Sequence, residues 1–250
     1  MSDFGLIQYT VQDRVASITL DRPDKLNAVS PAMIAELHRA LDLAEADEAV
    51  RALLLQGAGK AFSAGFDLSV SDPSGENSAE FWRPELQKDF DIIMRFWNFP
   101  KPTVAAVHRY CLGSSMEMAL ACDVTVASED CRFGAPEVRF GSGIVALLLP
   151  WLIGPKAARE LLLTGDDQVS AIRAEALGMV NRVVAAEDLQ AQAMAYAVRM
   201  AENELTAMRL TKQAIIRSYQ IMGMPQALAE ALELNVIIES TPNESEQESR

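Results

Sequence analysis

The chain has 250 residues, half of them hydrophobic, and a formal net charge of −13 at pH 7 with a sequence pI of about 4.6. This length and composition predict a large globular domain, with room for an appendage, and argue against a chain that is disordered throughout. The excess of acidic residues argues against general nucleic-acid binding, which requires a basic surface.

The three cysteines, Cys111, Cys122 and Cys131, indicate a reducing compartment. Their odd number provides no disulfide framework, and their spacing is not that of a metal site. The first residues lack the basic segment and apolar run of a signal peptide. The longest apolar stretch, residues 144–153, contains a proline and is too short to cross a bilayer. We therefore expect a cytoplasmic protein without a membrane partner and without a metal.

The pattern of the N-terminal half predicts alternating strands and helices. Ser30 and Pro31 provide the N-cap and the first residue of a helix. In chain order, the predicted elements are strands at 6–10 and 15–20, the helix from Ser30, a strand at 51–56, a helix at 81–97, a strand at 103–107, a helix at 114–121 and a strand at 124–127. This order predicts a parallel α/β core.

The C-terminal part, from Ala157 onward, is mostly helical in pattern. Apolar residues recur at helical spacing, which favours amphipathic helices over further strands. The predicted helices span residues 157–163, 189–203, 206–222 and 225–239.

Three short motifs contain residues suited to catalysis: residues 62–67 (FSAGFD), 113–117 (GSSME) and 135–137 (APE). The first two look like turns that end a strand and open a helix, where backbone N–H groups lack a partner. Two such turns facing each other would hold a developing oxyanion. Glu117 and Glu137 would then supply proton transfer.

Each of these residues also has a structural interpretation. Asp67 fits the first turn of a helix, where the dipole favours a carboxylate. Glu117 fits a solvated helix face, although its apolar neighbours predict burial, and a buried carboxylate requires compensation. Glu137 fits a surface turn, and we interpret His38 and His108 as structural residues.

Five segments, taken together in their order and spacing, resemble the crotonase superfamily of enoyl-CoA hydratases and isomerases. They lie at residues 18–28, 60–68, 101–123, 133–141 and 154–165, and the resemblance extends over roughly residues 6–240. It implies an α/β fold, a spiral of β-β-α units with a helical C-terminal region. It also implies an α/β core at 1–190, a trimerisation region at 191–250, and a homotrimer or dimer of trimers.

The same resemblance implies a substrate and the residues that act on it. The substrate would be an acyl-CoA thioester, and its enolate would be held by the backbone N–H groups of Phe66 and Ser114. Glu137 would move the α-proton, and Glu117 would hold and activate water. Coenzyme A is then part of the substrate rather than a separate cofactor, and its expected contacts are Lys25, Leu26, Ala64, Phe66, Asp67 and Leu68.

The leading hypothesis is reversible hydration of a 2-enoyl-CoA, and two alternatives remain open. One is an enoyl-CoA isomerase or a specialised acyl-CoA lyase that relies on Glu137 alone. The other is a non-catalytic CoA-binding oligomer. Departures from the family pattern motivate these alternatives: Ser114 and Arg109 replace frequent glycines, and residues 141–151 differ from the usual lining of the acyl pocket. Together with the bulky Phe66, this segment predicts an acyl group other than a simple straight chain.

Overall fold

The computed structural model describes residues 4–67, 69 and 77–241. The strands are β1 (Ile7–Gln12), β2 (Val15–Leu20), β3 (Ala52–Gly57), β4 (Thr103–Val107), β5 (Tyr110–Leu112), β6 (Val124–Ser128), β7 (Arg132–Gly134), β8 (Val169–Ser170) and β9 (Arg182–Val184). The helices are α1 (Pro31–Ala46), α2 (Ala79–Trp97), α3 (Ser114–Ala121), α4 (Leu149–Thr164), α5 (Ala171–Leu177), α6 (Leu189–Ala201), α7 (Leu205–Ile221) and α8 (Met224–Glu239).

The strands form two sheets. The larger has the order β1-β2-β3-β4-β6-β9, in which β1 and β2 are an antiparallel hairpin and the other neighbours pair in parallel. The smaller has the order β5-β7-β8. From β4 to β7 the strands alternate between the sheets, with β4 and β6 in the larger one and β5 and β7 in the smaller one. This confirms the predicted α/β class and its spiral of β-β-α units.

The hydrophobic core lies on both faces of the larger sheet. On one face it includes buried residues of α1, α2 and α3, and Ser30 caps α1 as predicted, with its Oγ accepting from the N–H of Met33 at 3.3 Å. On the other face, α6 places Ala193, Ala197 and Ala201 against the strands. These small residues recur every four positions, so the helix backbone can approach the sheet closely.

The C-terminal helices extend the fold beyond the sheets. The expected boundary between residues 190 and 191 falls inside α6, which packs on β3, β4 and β6, while α8 packs against α2. Among the residues that the structure describes, no single helix is long and apolar enough to span a bilayer. As a pair bent by 62°, α7 and α8 meet that criterion by length and composition.

Candidate active site

The three sequence motifs lie side by side because they belong to neighbouring strands. Ser63 forms a parallel bridge with Cys111 of β5, and β5 pairs in parallel with β7. The hydroxyl of Ser115 donates to the carbonyl of Ser63 at 2.9 Å, which further joins the first two motifs. The chain leaves β7 directly into the third motif, so Glu137 comes to the same edge.

Phe66, near the end of the first motif, forms a parallel bridge with Val29, and the segment where the expected helix would begin lies largely outside the described residues. The N–H of Val29 donates to the carbonyl of Gly65 at 2.8 Å, and the carbonyl of Val29 accepts from the N–H of Asp67 at 2.9 Å. Val29 thus bonds on both sides of Phe66, and in parallel pairing the N–H of Phe66 then faces away from Val29. Its orientation comes from strand geometry, and the next described helix begins at Ala79.

The second motif does open a helix. Gly113 is the N-cap of α3 with φ 55° and ψ −132°, a conformation that favours glycine, and Ser114 is the first helical residue. A Cβ added to Gly65 would lie 3.1 Å from the carbonyl oxygen of Leu112 and 3.8 Å from the nitrogen of Ser114. The two motifs therefore approach closely, and neither the N–H of Phe66 nor that of Ser114 donates to an acceptor within the described ranges.

Glu137 places its carboxyl group directly against the start of α3. A Cβ added to Gly113 would lie 2.1 Å from Oε1 of Glu137, and the N–H of Gly113 donates to the carbonyl of Gly134 at 2.8 Å. Oε2 of Glu137 is buried without a hydrogen-bond partner among the described atoms. Burial raises the pKa of Glu137 to about 7, and the negative charge of Glu239 acts in the same direction.

Glu117, in the first turn of α3, is only 1% exposed. Its Oε2 accepts from the N–H of Ala146 at 3.2 Å, and its Oε1 has no partner in the part of the chain that is described. Burial raises the pKa of Glu117 well above its ordinary value, opposed by the Ala146 hydrogen bond and reinforced by the charge of Glu137. The structure thus brings the two predicted glutamates together.

Both glutamates line one pocket of about 650 Å³, a size typical of small-molecule sites. Phe66 and Ser114 line it with them, and α2, α8 and the segment 140–145 form its remaining walls. A second cavity of about 660 Å³ lies beside α7 and contains neither glutamate in its lining. The pocket with the two glutamates is therefore the candidate active site.

The pocket also contains polar residues that sequence reasoning missed. Burial raises the pKa of Asp89, on α2, to about 7. The carboxylate of Glu239, on α8, accepts a hydrogen bond from the hydroxyl of Ser142. Asp89 lies three residues after Leu86 and four before Ile93, both buried in α2, so its place on an apolar helix stripe was the available signal. Ser142 lies in the segment 141–151 that the sequence analysis assigned to the acyl pocket, whereas nothing comparable marked Glu239.

The expected coenzyme A contacts separate into three groups. Ala64, Phe66 and Asp67 line the pocket. Lys25 and Leu26 lie in an exposed turn beside it, and the carbonyl of Leu26 accepts from the N–H of Ala64 at 3.0 Å. Leu68 lies outside the described residues.

Asp67 is held by an ion pair with Arg22. Nη1 of Arg22 also donates to the carbonyl of Ala28 at 3.2 Å, so the guanidinium links two residues that line the pocket. The hydrogen bond from Arg22 lowers the pKa of Asp67 to about 2, and Asp67 is ionised at neutral pH. The structure thus gives Asp67 a specific ionic partner in Arg22.

Among the described residues, the pocket lining includes no histidine and no cluster of side chains suited to a metal ion. No group of three or more His, Cys, Asp or Glu side chains in these ranges could hold a metal ion. His38 lies on α1 and Nε2 of His108 lies 3.1 Å from the carbonyl oxygen of Gly59, and neither ring lines the pocket. All three cysteines are buried and unpaired.

Comparisons with known proteins identify the family of this chain. Residues 10–249 match the model of the family described as "Enoyl-CoA hydratase/isomerase". The Thermus thermophilus protein named "Putative enoyl-CoA hydratase" is 41% identical over 204 residues, covering 81% of this chain and 80% of that protein. The Escherichia coli 2,3-dehydroadipyl-CoA hydratase is 30% identical over 241 residues, covering 94% and 91%.

A solved structure gives the same result. The crystal structure of an enoyl-CoA hydratase/isomerase from Xanthobacter autotrophicus Py2 matches with a TM-score of 0.94 at 46% identity, covering 97% of this chain and 90% of that chain. Sequence and fold similarity therefore extend over nearly the whole chain. The protein belongs to the enoyl-CoA hydratase/isomerase family of the crotonase superfamily, and it is an enzyme of that family.

Proposed function

We propose that this enzyme adds water to the double bond of a 2-enoyl-CoA to form a 3-hydroxyacyl-CoA, and catalyses the reverse dehydration. The observation that carries the proposal is the pair of buried carboxyl groups, Glu117 and Glu137, each with one unpartnered oxygen in the same pocket. Burial raises the pKa of both carboxyl groups, and the charge of Glu137 raises that of Glu117 further, so a proton shared by the pair is favoured over two carboxylates. Hydration requires this combination of one acid and one base.

The backbone N–H groups of Phe66 and Ser114 would stabilise the enolate. Negative charge collects on the thioester oxygen when the β-carbon gains a nucleophile, and two fixed donors facing that position need no reorganisation. Losing one such donor typically costs about 3 kcal/mol of barrier. The close approach of the two motifs at Gly65 supports this role, because both amides lie at one end of the pocket.

The two carboxyl groups would divide the proton transfers. Glu117, as a carboxylate, accepts a proton from the attacking water, whose oxygen bonds to the β-carbon. The electron pair of the double bond moves onto the thioester oxygen, and Glu137, as a carboxylic acid, then protonates the α-carbon. A pKa of about 7 lets Glu137 donate and regain its proton near neutral pH. The proton on Glu117 returns to Glu137 before the next turnover.

We also infer how coenzyme A and neighbouring subunits are bound. The coenzyme A part would lie along Lys25, Leu26, Ala64, Phe66, Asp67 and Leu68, with the exposed Lys25 contacting its phosphates. The apolar residues exposed on α7 and α8 support a homotrimer or dimer of trimers; they include Leu210, Ile215, Ile221, Leu234 and Ile237. Size-exclusion chromatography coupled to light scattering would measure the mass of the oligomer. The expected cytoplasmic location stays a prediction.

A second candidate reaction is isomerisation of a 3-enoyl-CoA. Glu117 is fully buried, and burial raises its pKa strongly, which favours its neutral form. A neutral Glu117 could not activate water, and Glu137 alone would then move a proton between the α- and γ-carbons. This observation favours an isomerase only if the Glu117–Glu137 pair carries its charge on Glu137 throughout the reaction.

The deciding experiment is a hydratase assay on short, long and aryl-substituted 2-enoyl-CoA thioesters, following the loss of the conjugated absorbance. The variants are Glu117→Gln and Glu137→Gln, with Glu187→Gln as a control because Glu187 is exposed and does not line the pocket. We expect both active-site variants to lose at least about 10²-fold in kcat. Full hydratase activity in Glu117→Gln would refute the two-glutamate mechanism. Conversion of a 3-enoyl-CoA without a hydroxyacyl product would then identify an isomerase.

A further inference from the structure

The side chain of Ser114 is buried in the active-site pocket without a hydrogen-bond partner. Ser114 is 5% exposed, lines the pocket, and its Oγ contacts no donor or acceptor within hydrogen-bond distance in the described structure. Buried hydroxyl groups are normally paired, because an unpaired one loses its hydrogen bonds to water. An unpaired hydroxyl at this place indicates that a ligand atom is its partner.

The neighbouring serine shows the contrast. The hydroxyl of Ser115 is 2.7 Å from the carbonyl oxygen of Leu112 and 2.9 Å from that of Ser63, so it joins two segments of the fold. Ser115 therefore has a structural role. The hydroxyl of Ser114 makes no such hydrogen bond among the described residues. The hydroxyl of Ser114 is left for the pocket.

The hydroxyl of Ser114 lies close to the backbone N–H of the same residue. A Cβ added to Gly65 would lie 3.6 Å from Oγ of Ser114 and 3.8 Å from its nitrogen, so both atoms face the same side of Gly65. Standard geometry keeps the nitrogen and Oγ of one serine about 3–4 Å apart in any rotamer. An oxygen that accepts from the N–H of Ser114 is therefore within reach of its hydroxyl after rotation about χ1.

We propose that the hydroxyl of Ser114 is a third hydrogen-bond donor to the thioester oxygen, in addition to the N–H groups of Phe66 and Ser114. It donates most strongly when the carbonyl becomes an enolate, which makes Ser114 a catalytic residue through its side chain as well as its backbone. The inference rests on the proposed function in one respect, namely that an acyl-CoA thioester occupies this pocket. It does not depend on whether the reaction is hydration or isomerisation.

The test uses the variants Ser114→Ala and Ser114→Gly in the full-length protein. The alanine variant removes the hydroxyl but keeps Cβ, and the glycine variant removes both, so the pair separates hydrogen bonding from bulk. We expect kcat to fall roughly 10- to 100-fold in both, with a smaller change in KM, because the donor acts mainly on the transition state. Ser218→Ala is the control, since it removes a hydroxyl from an exposed position of α7 outside the pocket.

A second measurement reports on the carbonyl itself. Infrared difference spectra of a bound saturated acyl-CoA, labelled with ¹³C at the thioester carbonyl, measure its polarisation without any reaction. We expect a higher carbonyl stretching frequency in both Ser114 variants than in the unmodified protein, and no shift in Ser218→Ala. An unshifted frequency in Ser114→Ala would overturn the proposal. A changed pH profile with an unshifted frequency would assign the hydroxyl to Glu137 instead, and would overturn it equally.

The two proposals can fail separately. If the unmodified protein polarises the bound carbonyl but hydrates no 2-enoyl-CoA, the hydratase assignment fails while the role of Ser114 stands. If hydration is fast and the Ser114 variants retain it fully, the third donor is refuted and the hydratase assignment stands.

Discussion

Replacing Glu137 with glutamine should stabilise the protein at alkaline pH while it removes activity. Burial raises the pKa of Glu137 from 4.5 to about 7. Between these pH values the unfolded chain releases a proton that the folded protein retains, so the free energy of unfolding falls as pH rises. One pKa unit corresponds to about 1.4 kcal/mol, so the loss reaches about 3 kcal/mol above pH 7. Glutamine has nearly the same shape and no charge, and it abolishes this loss.

The assay is urea unfolding of the unmodified protein and Glu137→Gln at several pH values. Protein concentration is held constant, since the stability of an oligomer depends on it. At about pH 4, below the pKa of an unperturbed glutamate, the two free energies of unfolding should agree closely, and at about pH 8 the variant should be more stable by roughly 3 kcal/mol. Glu187→Gln, at an exposed glutamate outside the pocket, should follow the unmodified protein at every pH.

The pH dependence of this difference is what tests the reasoning. A stability difference that stays constant with pH would come from packing alone and would refute a raised pKa for Glu137. A variant that is less stable than the unmodified protein at alkaline pH would show that the ionised carboxylate is stabilised in the fold. Either result would remove the physical basis for Glu137 as the proton donor.

Two further substitutions, at Gly113 and Lys212, test the geometry of the site and the stability of the core, and Gly178→Ala is the control for the first. Gly113→Ala should lower kcat at least about 10²-fold, because its Cβ would lie 2.1 Å from Oε1 of Glu137 and displace the carboxyl group. Gly178→Ala, where φ is 82° and the space is open, should lower the denaturation midpoint but keep kcat in the same assays. Lys212→Met should lower the free energy of unfolding by about 2 kcal/mol in urea titration, because Asp123 loses the ammonium group that contacts it at 2.7 Å. An unchanged midpoint would contradict this role for Lys212.

Much of the fold could be predicted from local sequence signals. The bounds of α3, 114–121, match the prediction, and Ser30 caps α1 as its Ser-Pro sequence indicated. The strands β5, β7, β8 and β9 could not be predicted, because segments of two or three residues carry no periodicity. Their pairing depends on residues distant in the chain, and this pairing is what brings the three motifs together.

The candidate proton-transfer residues could be predicted from the sequence more fully than the contacts that position the site. The structure brings Glu117 and Glu137 into one pocket, as expected. The free N–H of Phe66 was expected at a helix start, yet it results from the bridge to Val29, a long-range contact that no local pattern reveals. Asp89 was missed, although its spacing from the buried Leu86 and Ile93 places it on the apolar stripe of α2.

The bridge between Val29 and Phe66 bears on which substitutions can alter the acyl group that this enzyme accepts. The donor at Phe66 is a main-chain amide oriented by main-chain contacts, so substitution of nearby side chains leaves it in place. The walls around Val145 and Ile238 come from other segments of the chain. In the proposed mechanism, enolate stabilisation and acyl-group choice would therefore depend on separate parts of the sequence. A mutant library that varies only the residues around Val145 and Ile238 could be screened for activity on new acyl groups while the Phe66 amide keeps its orientation.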